Sequence, residues 1–134
     1  LNTIIMHKQR NYEKENTIDN TLLIGDTKDL KNKTAIICDD MCDSGGTLIK
    51  VVENLETHGI QNVIVIITHG IFSGKCIERF QNCKIISKII VSDTICQENK
   101  QEILNKLDIF SISELMGDVI TNIIKGGSLS LLFE

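Results

Sequence analysis

At 134 residues, 42% hydrophobic and 24% charged, the chain has the make-up of one globular domain and not of a disordered, collagen-like or coiled-coil protein. A net charge of −4 lacks the basic footprint of a general nucleic-acid binder. The longest apolar run, Val63–Ile67, falls far short of the ~20 residues a membrane span needs. Proline is absent and aromatics are few, so the core must be aliphatic. The five cysteines form no Cys-x-x-Cys pair and read as reduced, cytosolic thiols.

The chain opens on Leu1, and Ile4-Ile5-Met6 already reads as a strand, without the basic and long apolar regions of a signal peptide. The polar stretch Lys8–Asn20 is expected to be a mobile loop, and Thr21–Ile24 a short strand stopped by Gly25-Asp26. Thr34–Cys38 is a continuous apolar run, as expected of a parallel strand covered on both faces. Leu48, Ile49, Val51, Val52 and Leu55 recur at helical spacing, with Gly59 as the C-terminal stop. A second buried strand follows at Val63–Ile67, a short helix over 74–81, and strands at Ile85–Val91 and Leu107–Phe110. Ser111-Ile112-Ser113-Glu114 reads as a capping box for a helix that ends at Gly126-Gly127 and whose Leu115, Val119 and Ile123 should be core. Strands alternating with helices predict an α/β fold, a twisted parallel sheet flanked by helices.

The chemistry concentrates in Ile36–Thr47. Two carboxylates, Asp39 and Asp40, stand where a strand runs out, followed by Asp43-Ser44-Gly45-Gly46-Thr47 and a helix. Ligands of open α/β sheets bind outside the carboxyl ends of strands. The glycines let successive N–H groups converge, Ser44 and Thr47 add hydroxyls, and the helix N-terminus favours an anion. A phosphate monoester fits there. Carboxylates would repel it, but they accept hydrogen bonds from the vicinal hydroxyls of a ribose, which together describes a ribose 5-phosphate moiety. Neither Gly-Lys-Ser/Thr nor Gly-x-Gly-x-x-Gly is present.

This stretch resembles the phosphoribosyl-diphosphate (PRPP) motif of type I phosphoribosyltransferase folds. Further segments narrow the resemblance to ribose-phosphate pyrophosphokinases, the PRPP synthetases: Ile5–Arg10, Leu23–Asp26, Thr68-His69-Gly70-Ile71-Phe72-Ser73-Gly74, Asp93-Thr94-Ile95 and Ser128–Phe133. Lys75 and Cys96 stand where family members carry Pro. The resemblance implies transfer of the pyrophosphoryl group of Mg-ATP to the C1 hydroxyl of ribose 5-phosphate, giving PRPP and AMP.

It further implies Mg2+, with ligands mainly outside this stretch, a cytoplasmic homohexamer, and no nucleic-acid or membrane partner. Residues 1–134 would then be one partial C-terminal domain, inactive alone, with a catalytic flexible loop at about 7–20. Asp39 and Asp40 would hold the ribose hydroxyls, and Asp43, Ser44, Gly45, Gly46 and Thr47 the 5-phosphate. Lys8 and Arg10 match the family's catalytic basic pair. Spaced two apart in an extended segment they share a face, although by residues alone they read first as solvated loop charges, and it is the resemblance that makes them catalytic candidates. His69 ends a strand and is either a site residue or a turn cap. Ser128, Leu129, Ser130 and Phe133 match a regulatory phosphate/ADP site between subunits, or form a terminal strand. A PRPP-consuming phosphoribosyltransferase and a non-catalytic regulatory subunit are the alternatives.

Overall fold

A computed structural model describes residues 3–10, 18–25, 27 and 29–132, with the backbone alone for 6–10, 18–23 and 131. Its centre is a four-stranded parallel sheet in the order β3-β4-β5-β6, formed by Thr34–Cys42, Asn62–Gly70, Ile86–Ser92 and Leu107–Phe110. α1 (Gly46–Thr57), α2 (Cys76–Asn82) and the four-residue α3 (Lys100–Ile103) make the crossovers. The fold is therefore α/β, with a parallel sheet flanked by helices as its alternating pattern predicts.

Adjacent strands joined in sequence by right-handed crossovers place all their helices on one face of the sheet. Burial follows from that. Val63, Val65 and Ile67 of β4 and Ile89 and Val91 of β5 are buried against Leu48, Val51, Val52 and Leu55 of α1 and Phe80 of α2. The intervening Ile64, Ile66 and Ile90 are only half-buried, and Ile36 of β3 is 57% exposed. The expectation that Thr34–Cys38 is covered on both faces is thus corrected. Among the described residues β3 is an edge strand and the second face of the sheet has no covering layer.

Ile5–Arg10 (β1) and Ile18–Ile24 (β2) form an antiparallel pair apart from the main sheet, with Ile5 opposite Ile24 and Lys8 opposite Thr21. The expected loop over Lys8–Asn20 is corrected at both ends, because backbone pairing carries the strands to Arg10 and back to Ile18. Residues 11–17 lie outside the described residues.

The last helix, α4, spans Ser113–Lys125 and closes on Gly126 in the left-handed region at φ 66°. Its capping box does not form. Ile112 is the N-cap, and its N–H donates to Asp93 Oδ1 at 2.9 Å, while the Ser111 hydroxyl accepts from the Ser113 N–H at 3.2 Å. Ser111 still accepts an amide of the helix start, but the neighbouring Ile112 N–H goes to a carboxylate from the β5–β6 connection. The expectation that Leu115, Val119 and Ile123 are core is also overturned. α4 has no buried residue, and Leu115, Met116, Ile120, Ile123 and Ile124 are all exposed. The helix leaves the sheet after β6 instead of folding onto it. The tail makes a 3-10 turn at Ser130–Leu132, not a strand.

Candidate functional site

β3 runs three to four residues past its apolar stretch, so Asp39 and Asp40 are its last acidic positions before the turn. Successive residues of a strand point to opposite faces. Asp39 is half-buried, in phase with Ala35 and Ile37, which pack against the core, and Asp40 is exposed in phase with Ile36 and Cys38. The structure places the two carboxylates at one strand end but splays them across it.

The chain then turns through Asp43, Ser44 and Gly45 into α1. Gly45 has φ 72°, in the left-handed region, and a Cβ there would sit 2.7 Å from Cys76 Sγ and 3.3 Å from the Phe80 ring. Both facts require glycine. Gly46 opens the helix, where a Cβ would meet nothing closer than Arg79 Nη1 at 3.6 Å. No side chain caps α1, so its first-turn amides are not taken up by an N-cap oxygen. Asp43 and Ser44 are exposed and Thr47 half-buried. The predicted loop residues therefore lie together in one turn, between the carboxyl end of β3 and the N-terminus of α1.

Non-local bonds hold this turn. The Cys42 carbonyl accepts from the Ile71 N–H at 2.9 Å and the Phe72 N–H at 3.1 Å, and the Asp43 carbonyl from the Ser73 N–H at 3.1 Å. Arg79 Nη1 donates to the Ser44 carbonyl at 2.6 Å. Beneath the turn the buried thiols of Cys42 and Cys76 lie 3.9 Å apart. The hydrogen bond between the two thiols holds Cys42 below its ordinary range, with the Gly45 amide acting the same way. The same bond, with burial, pushes Cys76 far up.

The Thr68–Gly74 segment forms the neighbouring wall. The Thr94 hydroxyl donates to the Thr68 carbonyl at 2.9 Å and lies 2.9 Å from His69 Nδ1. With that hydroxyl proton committed, His69 Nδ1–H is the donor, and the ring ties β4 to the Asp93-Thr94-Ile95 turn. Two separate sequence segments are thereby joined. A Cβ on Gly70 would come within 2.7 Å of Phe72 and Val91. Phe72 itself is buried at φ 53°, strained for a residue with a side chain, and stacks edge-on to Phe80 at 5.9 Å.

Lys8 and Arg10 have backbone positions in β1, and their side chains lie outside the described residues, as does Phe133. Ser128, Leu129 and Ser130 are exposed, and the Ser130 N–H donates to Ser128 Oγ at 3.2 Å. No three His, Cys, Asp or Glu side chains among the described residues gather as a metal site. No helix among them is long and apolar enough to cross a membrane. Sequence reasoning overlooked Arg79 and the Cys42–Cys76 pair. Arg79 carried one signal, being one of two arginines in a chain that otherwise uses lysine.

Comparison with known proteins agrees with this geometry. The family described as phosphoribosyl synthetase-associated domain matches residues 3–134. The crystal structure of phosphoribosylpyrophosphate synthetase from Mycobacterium smegmatis matches with a TM-score of 0.74 and 30% sequence identity, over 92% of this chain. The chain spans 37% of the length of that synthetase. With the fold, the strand-end turn and the family match in agreement, the chain belongs to the phosphoribosyl synthetase-associated domain family and corresponds to a portion of a PRPP synthetase.

Proposed function

We propose that this chain holds ribose 5-phosphate in a ribose-phosphate diphosphokinase, where the C1 hydroxyl attacks the β-phosphorus of Mg-ATP to give PRPP and AMP. The observation that supports this most is the Asp43–Thr47 turn opening an uncapped α1 at the end of a parallel strand. Its amides and the hydroxyls of Ser44 and Thr47 would take the 5-phosphate, and Asp39 and Asp40 the ribose hydroxyls. Such transfers rest on positioning and charge neutralisation.

Lys8 and Arg10 would meet the triphosphate. Mg2+ would arrive with the nucleotide, since hard divalent ions of this size bind through substrate phosphates with few protein ligands. The five unpaired cysteines favour a reducing, cytoplasmic setting, and a homo-oligomer, a hexamer by family likeness, is proposed with it. Ser128, Leu129, Ser130 and Phe133 are proposed for the regulatory phosphate/ADP site. A second reading, in which the chain binds the sugar phosphate in a non-catalytic, regulatory subunit, is favoured by the family description as a synthetase-associated domain.

Calorimetric titration with ribose 5-phosphate tests the shared premise. Saturable binding is expected, weakened about tenfold or more by Thr47→Val if its hydroxyl serves the phosphate. No binding to the unsubstituted chain would overturn the proposal. PRPP formation from ribose 5-phosphate and Mg-ATP by the longer synthetase, with no nucleobase added, separates a synthetase from a PRPP-consuming transferase.

A further inference from the structure

The Ser44–Gly45 peptide is the pivot of the proposed phosphate turn, and α2 grips it. A trans peptide points its carbonyl and its N–H in opposite directions. Here the Ser44 carbonyl is fixed by Arg79 Nη1 at 2.6 Å. On the other side the Gly45 N–H is taken by the Cys42 sulfur, and a Cβ on Gly45 would sit 2.7 Å from Cys76 Sγ, so the peptide is held from both sides and has no space for a side chain. Cys76 and Arg79 lie on consecutive positions of one helix face, three residues apart in α2. The loop also has an electrostatic problem. Asp39, Asp40 and Asp43 crowd a turn offered to a dianion. Arg79 brings a permanent cation to that turn, 3.6 Å from where a Gly46 Cβ would stand.

We propose that Arg79 is a positioning residue for the phosphate-binding turn, orienting the Ser44–Gly45 peptide and offsetting the acidic cluster, and thereby sets the preference for phosphorylated over unphosphorylated ribose. The inference rests on the ribose 5-phosphate reading. Arg79 is exposed, so its replacement leaves the core intact.

The test titrates the unsubstituted chain, Arg79→Met and Arg79→Lys with ribose 5-phosphate and with ribose, alongside thermal melts. Arg79→Met should weaken ribose 5-phosphate binding about 10- to 100-fold, the range for losing a charge-assisted bond, and leave ribose binding unchanged. Arg79→Lys, which keeps the charge without the fork, should recover part of that loss. Phosphorus NMR adds a second readout, in which the bound phosphate dianion becomes the monoanion at higher pH in Arg79→Met. Failure of the unsubstituted chain to bind ribose 5-phosphate overturns the functional reading and the inference with it. Binding by the unsubstituted chain that Arg79→Met leaves unaltered overturns the inference alone. Equal loss of both ligands, or loss tracking the melting temperature, also overturns it, because Arg79 would then be structural only.

Discussion

Single residues decide whether the turn after β3 can present its amides. Gly45 is the most constrained of them, through a left-handed φ and the sulfur that occupies its Cβ position. Gly45→Ala should cost roughly 2 kcal/mol or more in urea unfolding and abolish ribose 5-phosphate binding. Gly46→Ala, with nothing nearer its Cβ than 3.6 Å, should do much less. Asp39 and Asp40 offer a second contrast, since one is half-buried and the other exposed on the opposite face. Asp39→Asn and Asp40→Asn should therefore weaken sugar binding unequally, which parallel titrations would read; equal losses would contradict the splayed geometry. The adjacency of these carboxylates was legible in the sequence. Their divergence was not, because it depends on β3 staying extended through both.

α4 shows how far a local motif can mislead at the scale of an element. Its apolar spacing and its glycine stop identified a helix correctly, yet the reciprocal box did not form, because the Ile112 N–H goes to Asp93, nineteen positions earlier in the chain. The Asp93 carboxyl titrates below the usual carboxylate range because the Ser111 hydroxyl, and then the Ile112 N–H, donate to its charged form. A depressed carboxyl contributes stability that is present above its unfolded value, near 3.8, and is lost as pH falls through the lower folded value. The clasp on α4 should therefore hold at pH 5 and fail only below about pH 3.8. Hydrogen exchange at the start of Ser113–Lys125, taken as protection relative to the unstructured rate at each pH, would record this, and Asp93→Ala should lower that protection at pH 5 and abolish its fall in acid.

Across the whole molecule, the unequal covering of the sheet is the dominant feature. One face carries the core, while Ile36 and the half-buried Ile64, Ile66 and Ile90 line the other, and α4 stands with Ile124 78% exposed. Contiguous apolar surface of this kind is unusual on a monomer. The chain alone should enhance the fluorescence of a hydrophobic dye while fully folded, and Ile36→Lys should reduce it without lowering stability. Because the chain spans 37% of the synthetase it resembles, it is also expected to release no AMP from Mg-ATP and ribose 5-phosphate by itself. Measurable turnover would refute that.

The amino-acid sequence by itself determined the alternation of strands and helices that makes a parallel sheet, α1, α2, the Gly126 stop and the acidic pair before a small-residue turn. These follow from side-chain period and turn chemistry within a dozen neighbouring residues. Only the tertiary structure decided which face of β3 is covered, that Asp93 joins Ser111 at the start of α4, and that Arg79 and Cys76 brace the turn at Gly45. Those outcomes depend on the approach of groups 19 to 35 positions apart, and an apolar run reports that a strand prefers an apolar setting without saying what supplies it.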